Sequence, residues 1–351
     1  MDILGEIQSI KYTPLLTKKE FNEYNISELN DALKKDTAFI LDVGNASKFA
    51  VSWWVSAKRT RSYPYARVYN TLAHTGKRVT IIPIFKDEGK DGDRDFLQWD
   101  TISLMSLLGI NVIISYYISA VKSSKYNHKI TNQRFDVEYI KSEIDKLKSY
   151  QSDPLHWNLE QADEVINLSE KALDSYMHIS NLTGVNMHSK EILSQKINLL
   201  KSEKDKFMLL SRKLANEAQQ RERATLQPKE NINDGEKAII TISNYLGGYY
   251  YFTADEAKIS DGNCLKLVEA KHSSSGNLPS FDDIKDGLIK MILFSNLKTV
   301  RIDENIYNVN PVLKLTAKKN TNLSSGKQQF MKILQEEARI NGFSIDYKGG
   351  I

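Results

Sequence analysis

Three residues in one stretch have types and spacing suited to chemistry. The stretch is Thr253-Ala-Asp-Glu-Ala-Lys-Ile-Ser-Asp-Gly-Asn-Cys-Leu-Lys-Leu-Val-Glu-Ala-Lys-His272, and the residues are Asp255, Glu269 and Lys271. Strand side chains alternate between faces, so Glu269 and Lys271 point the same way, while Val268 and Ala270 are expected to pack beneath the following helix. Asp255 lies on the preceding strand, across a turn. Two acids and a lysine at one sheet edge suit phosphodiester hydrolysis. Carboxylate oxygens bind Mg²⁺, which acidifies an attacking water and neutralises charge on the phosphate. A lysine beside the metal orients that water or contacts the phosphate. Burying such charges without a ligand would be costly, which favours a functional reading.

The elements that must position these groups can be read around them. Asp234 is expected to cap a helix, Gly235 to Leu246, ended by Gly247 and Gly248. A strand follows (Tyr249 to Ile259), then the turn Ser260-Asp-Gly-Asn263 and a second strand (Leu265 to Lys271). The Asp-Gly pair between apolar runs is a hairpin signal. Ser280 with Asp283 forms a capping box for a helix to Leu297. Short strands at Thr299–Ile302 and Val312–Thr316, a helix (Lys327 to Ile340) and a strand (Phe343 to Tyr347) complete the chain. Other acid-x-Lys triplets occur, such as Glu88-Gly-Lys90 and Asp283-Ile-Lys285. Only Glu269-Ala-Lys271 ends an apolar strand after a hairpin and before a capped helix.

Asp255…Glu269-Ala-Lys271, within this order of elements, resembles the PD-(D/E)xK nuclease superfamily. The run Leu-Val-Glu-Ala-Lys-His is similar in particular to the motif of type II restriction endonucleases. The resemblance covers roughly residues 234 to 305. It implies a mixed-sheet nuclease core and a Mg²⁺-dependent double-stranded DNA endonuclease leaving 5′-phosphate and 3′-hydroxyl ends. Asp255 and Glu269 would be metal ligands and Lys271 would sit near the attacking water. It also implies a separate DNA methyltransferase as functional partner, and a homodimer if the DNA site is palindromic. The sequence departs from the pattern where the proline expected before the aspartate is Ala254. Glu256 adjoins Asp255 and competes with it as first ligand, as does Asp261 in the turn. Glu236, on the expected preceding helix, is the nearest candidate for an additional glutamate. His272 faces away from Lys271 or leaves the strand, which suits a structural or phosphate-contacting role.

The chain divides into three regions by pattern: 1–135, 136–225 and 234–351. In the first, apolar runs at Ala38–Val43, Val79–Phe85 and Asn111–Ile118 alternate with helical patterns at Ile26–Lys34 and Phe96–Leu108, as in an α/β layer. From Ser56 to Lys86 it holds seven basic residues and no acid. Lys58, Arg59, Arg61, Tyr63, Tyr65 and Arg67 interleave arginine with tyrosine and are candidate DNA contacts. Pro64 suggests a loop there. Lys314, Lys318 and Lys319 form a weaker basic set. The loop Lys86 to Asp95 holds five acids and reads as a solvated turn. Trp53, Trp54 and Trp99 read as core. The middle region is helical. Its span Asp136–Tyr176 carries ten acids against four lysines. A heptad seam from Leu193 to Ala218 suits internal packing or dimerisation. Arg223–Asp234 reads as a linker.

Composition bounds the rest. The 351 residues are 41% hydrophobic and 26% charged, with a net charge of +4, which excludes wholesale disorder and leaves any electrostatic case to local clusters. A single cysteine, Cys264, cannot form an internal disulfide and suggests a reducing, cytoplasmic compartment. The six histidines and one cysteine offer no zinc spacing. Residues 1–12 lack the apolar core of a signal peptide. The uncharged stretch Thr101–Val121 is long enough to span a bilayer but contains Gly109. It is expected to be a helix, a glycine stop and a buried strand.

Overall fold

The computed structural model describes residues 1–18, 20–58, 64–188, 236–244, 249–260, 263–318 and 322–348. The heptad seam, the linker, Asp261, Lys319 and three of the basic-loop candidates (Arg59, Arg61 and Tyr63) lie outside them. Helices and mixed-orientation sheets build two units, Lys19–Ser211 and Met1–Lys18 with Arg212–Ile351. Strand β1 (Asp2–Ile7) explains why the first residues belong with the C-terminal unit rather than with the N-terminal α/β region. It pairs parallel with one strand of that unit, Glu236–Asn244, and antiparallel with another, Lys298–Ile302.

In the unit Lys19–Ser211 a five-stranded sheet runs in the order β2 (Glu23–Asn25), β3 (Ala38–Asp42), β4 (Lys48–Trp53), β5 (Arg78–Pro83) and β8 (Asn111–Ser115). All neighbours are parallel except β3 and β4. Helices α1 (Leu29–Lys35), α2 (Pro64–Thr71) and α3 (Trp99–Leu107) lie between strands. Pro64 opens α2 rather than a loop. Proline is tolerated at the first helical position because its missing N–H has no helical partner there. Small hairpins β6 (Phe85–Asp87)–β7 (Arg94–Phe96) and β9 (Tyr117–Lys122)–β10 (Ile130–Phe135) stand outside this sheet.

The stretch Thr101–Val121 forms a helix, a glycine with φ of 67° at Gly109, and then β8 and part of β9. Among the described residues no helix is long and apolar enough to cross a membrane. Helices α4 (Val137–Ser149), α5 (Pro154–Asp163) and α6 (Val165–Thr183) follow. The second of these covers the open edge of β8. Asn158 Oδ1 accepts the Val112 N–H at 2.7 Å, Trp157 Nε1 donates to the Val112 carbonyl at 2.7 Å, and Gln161 Oε1 accepts the Ile114 N–H at 3.2 Å. Side chains thus satisfy an edge that would otherwise invite another strand.

The other unit contains β11 (Glu236–Asn244), β12 (Tyr249–Ser260), β13 (Cys264–Ser273), α7 (Phe281–Asn296), β14 (Lys298–Ile302), β15 (Asn305–Ala317), α8 (Ser325–Asn341) and β16 (Ser344–Lys348). Its sheet runs β13-β12-β11-β1-β14-β15-β16, and β15 also pairs with β13, so the pairings close into a ring. The first element corrects an expectation, because within the span expected to be a helix, Gly235 to Leu246, the described residues Glu236–Asn244 form a strand. Ala238, Ile240 and Ile242 are buried in strict alternation, and the β-branched run Ile239-Ile-Thr-Ile242 favours a strand. The hairpin, the capped helix α7 and the later elements follow the expected order. The capping box at Ser280 forms, with the Asp283 N–H donating to Ser280 Oγ at 3.1 Å. The core joins Leu265 and Leu267 of β13, Leu313 and Leu315 of β15, and Ile284, Leu288 and Met291 of α7.

Candidate active site

The register between β11 and β12 shifts at the site. Glu236 pairs with Ala257 and Ala238 with Ala254, so β12 carries one extra residue at Asp255-Glu256. Such a bulge re-aims side chains. Asp255 turns to β13, where its Oδ2 accepts the Ala270 N–H at 2.7 Å. Glu256 turns elsewhere and meets Lys314 Nζ at 3.2 Å. Lys314 is the register partner of Ala270, whereas Glu269 and Lys271 alternate onto the other side of β13. Glu256 therefore does not join Asp255. Glu236 opens β11 and lies on no preceding helix.

Glu269 and Lys271 face α7, which reverses the expectation that Val268 and Ala270 would lie under that helix. Glu269 is 2% exposed. Its Oε1 lies 2.9 Å from Lys271 Nζ and its Oε2 accepts from Lys290 Nζ at 2.6 Å. Lys271 Nζ also reaches Asp286 Oδ2 at 2.9 Å, and Lys290 Nζ the Thr253 carbonyl at 3.2 Å. Asp286 and Lys290 are one helical turn apart on α7, with Gly287 between. A Cβ at Gly287 would stand 2.9 Å from Leu313 Cδ1 and 3.2 Å from Lys271 Cε. The missing side chain lets the helix approach β13 closely enough for both polar side chains to reach the strand.

The electrostatics separate the two acids. Burial and the charge of Glu269 push the Asp255 carboxyl up to about 7, against the pull of Lys290 and the Ala270 N–H. Burial also opposes ionisation of Glu269, but the ammonium groups of Lys290 and Lys271 outweigh it and hold that carboxyl below the usual range. Lys271 is raised in spite of burial, because Glu269 and Asp286 favour its charged form. Lys290 is raised likewise by Glu269 and Asp255, and burial raises Asp286. At neutral pH Lys271 is thus an ammonium, able to donate to a water or a phosphate oxygen but not to accept a proton.

Among the described residues no group of three or more His, Cys, Asp and Glu side chains gathers as a cation site. The donor set here is the smaller one that Mg²⁺ uses, one or two carboxylates with the remaining positions left to water and phosphate. Asp255 fits that role. Its Oδ1 receives no hydrogen bond from the described residues, and its proximity to Glu269 is the kind of carboxylate repulsion a dication relieves. Glu269 would have to exchange one lysine for the ion.

Elsewhere the sequence-derived candidates are placed as follows. His272 is exposed, with Nδ1 2.9 Å from Thr316 Oγ1. Lys58 is exposed. Tyr65 is 4% exposed and packs edge-on against buried Trp54. Arg67 donates to the Trp53 carbonyl at 2.7 Å and lies over its ring. Lys77 binds the Leu147 and Tyr150 carbonyls, Arg78 those of Leu72 and Gly109, and Lys86 the Glu88 carboxylate. Much of the basic stretch Ser56–Lys86 thus serves the fold of its own unit. The acidic loop after it is not wholly solvated. Asp87 and Asp95 are buried, accepting from His188 Nδ1 at 2.8 Å and from Ser56 Oγ at 2.6 Å.

Asp286 and Lys290 were not singled out from the sequence. The available signal was an acid and a base at i and i+4 around a glycine, inside the run Ile284–Phe294 whose one other charged residue is Lys285. Comparison with protein-family models, with curated proteins and with solved structures finds no match.

Proposed function

We propose that the unit containing β11 to β16 hydrolyses DNA phosphodiester bonds with Mg²⁺, as a type II restriction endonuclease of the PD-(D/E)xK kind. The observation that carries this reading is the buried cluster on one face of β13. Lys271 Nζ lies 2.9 Å from Glu269 Oε1, and the Asp255 carboxylate is held beside them by the Ala270 N–H. The mixed sheet supports it as well: β12 and β13 form a hairpin, α7 crosses over, and β15 returns parallel to β13.

Asp255 and Glu269 would hold the metal. Mg²⁺, when bound, would acidify an attacking water and neutralise charge on the phosphate. Lys271, kept charged by Glu269 and Asp286, donates to that water or to a phosphate oxygen and fixes its position. Lys290 anchors Glu269 from the other side, and α7 shields the cluster from bulk water. In the reaction the water oxygen bonds to phosphorus and the bond to the 3′ oxygen breaks. One proton leaves the water and one reaches the 3′ oxygen, giving 5′-phosphate and 3′-hydroxyl ends. In this reading the substrate is double-stranded DNA, the enzyme acts as a homodimer on a palindromic site, and a separate methyltransferase protects host DNA. Digesting long DNA of mixed sequence with Mg²⁺ or Mn²⁺ tests it. Discrete, methylation-blocked fragments support restriction, whereas structure-specific nicking points to a repair, recombination or mobile-element nuclease on the same core.

One observation favours a second reading. Both Glu269 oxygens already have lysine partners, so the cluster is also a self-satisfied buried ion network, as in a non-enzymatic DNA-binding or scaffold protein. Calorimetry with Mg²⁺ and Ca²⁺ separates the two. Binding that disappears in Asp255→Asn supports the enzyme, and no binding to wild type supports the scaffold.

A further inference from the structure

We propose that the two-stranded ribbon β9–β10 is a docking element for duplex DNA. From Thr101 to Phe135 the chain contains no acid, and its basic residues, Lys122, Lys125, Lys129 and Arg134, all fall on the ribbon or its tip. Lys122, Lys125 and Arg134 are exposed, and none of the three has a partner among the described residues. Lys129 sits 5.7 Å from the centre of the Tyr126 ring and 3.8 Å from Glu88 Oε2. Tyr126 at the tip is 54% exposed and Val121 52%.

The ribbon is held firmly at its base. Tyr117 stacks on Phe135 with centroids 4.5 Å apart and donates to the Val55 carbonyl, and Ser175 of α6 donates to the Tyr117 carbonyl. Gln133 donates to the Asp87 carbonyl and accepts from Tyr176 Oη. The tip is shaped by its own bonds: the Lys125 and Tyr126 N–H groups donate to Ser123 Oγ, and the Lys129 N–H donates to the Tyr126 carbonyl. The ribbon is therefore a preformed projection rather than a loop that must order on binding.

Charge complementarity selects the occupant. The β6–β7 hairpin meets the tip where Gly89 approaches the His128 carbonyl. It carries five acids against Lys86, Lys90 and Arg94, a net of −2, with Asp87 and Asp95 buried and Glu88 shared by Lys86 and Lys129, so the ribbon's four cations keep an excess of positive charge. The acids Glu170 and Asp174 lie on α6, which packs at the end of the ribbon where Arg134 pairs with Ser119, while the three lysines lie toward the tip. A two-stranded ribbon fits the major groove of B-form DNA, with lysines and arginine reaching phosphates and Tyr126 reaching sugar or base.

The proposal takes duplex DNA as partner in line with the proposed function but does not require cleavage, so it is tested in EDTA. Binding of the full chain to a mixed-sequence duplex is measured by fluorescence anisotropy from 50 to 200 mM salt. The variant Lys122→Ser/Lys125→Ser/Arg134→Ser is expected to bind at least about tenfold more weakly at the lower salt, with the slope of log affinity against log salt reduced by about 2.7. The charge-matched control Lys35→Ser/Lys298→Ser/Lys332→Ser, all exposed positions, is expected to keep most of the affinity and slope. Wild type that does not bind, a ribbon variant that binds like wild type, or a control weakened as much as the ribbon variant would each overturn the proposal. Loss of self-association on sedimentation, with duplex affinity unchanged, would assign the ribbon to a second copy of the chain instead.

Discussion

Lys290 Nζ donates to Glu269 Oε2 at 2.6 Å, on the oxygen opposite the one that meets Lys271. The glutamate of the acid-x-Lys triplet is thus clamped between two ammonium groups, one from its own strand and one from α7. This clamp keeps a 2% exposed carboxylate ionised. It also makes the helix part of the site rather than a cover over it.

Removing the outer half of the clamp should therefore destabilise the unit. Lys290→Met leaves Glu269 with one cation and removes the ammonium contact to the Thr253 carbonyl. The expected loss is about 3–5 kcal/mol by urea unfolding. Glu269→Gln in the same chain should recover part of that loss, because the uncompensated charge is gone. Additivity of the two changes would mean that the pair does not interact.

The raised Asp255 carboxyl predicts a pH signature. Its folded value, about 7, lies above the unfolded value near 4, so between these pH values the native state binds the extra proton. Stability is then fully present below about pH 4 and falls as pH rises to about 7, on the order of a few kcal/mol. Asp255→Asn should lack this decline, since the amide oxygen can still accept the Ala270 N–H without ionising. Parallel denaturation curves for the two proteins from pH 4 to 8 would count against the assignment.

Gly287 sets two effects against each other. Alanine would gain about 1 kcal/mol of helix propensity. Its Cβ would also press on Leu313 and on the Lys271 side chain, at 2.9 and 3.2 Å. Overpacking of this kind costs about 1–3 kcal/mol, so the net effect of Gly287→Ala is a lower melting temperature. A rise in melting temperature would show that the helix can move away from β13 without penalty.

The cover over the edge of β8 is testable in the other unit. Asn158 accepts from the Val112 N–H and donates to the Ile110 carbonyl and Ser106 Oγ, all buried. Asn158→Leu removes the side-chain partner of the Val112 N–H and the Ile110 carbonyl, while Ser106 Oγ keeps its bond to the Ile102 carbonyl, and should cost about 2–4 kcal/mol. It should also increase aggregation on mild heating, as the uncovered edge becomes open to other strands. A stable, non-aggregating variant would mean that water satisfies the edge equally well.

Much of this site could be read locally. The Asp255…Glu269-Ala-Lys271 spacing, the two paired strands and the Ser280 capping box are short-range signals, and the strand pairing and the cap form where the residues placed them. What failed depended on partners distant in the chain. Glu236–Asn244 looked helical by its boundaries, but its alternation of Ala238, Ile240 and Ile242 acquires meaning only beside β1 and β12. Which face of β13 meets α7 follows from the crossover to β15, and Lys290 joins the site through that packing alone. Arginines and tyrosines around Pro64 looked like a contact surface. Yet Tyr65 is core and Arg67 is tied to Trp53, a difference that composition cannot reveal.

The most direct test of the account is digestion of long genomic DNA with Mg²⁺ by wild type and by Lys271→Ala, with the fragment ends sequenced. Wild type should give discrete fragments with 5′-phosphate ends at a fixed sequence. Lys271→Ala should cut at least about a hundredfold more slowly while binding DNA in EDTA like wild type. No cleavage by wild type with either Mg²⁺ or Mn²⁺, or undiminished cleavage by Lys271→Ala, would contradict it.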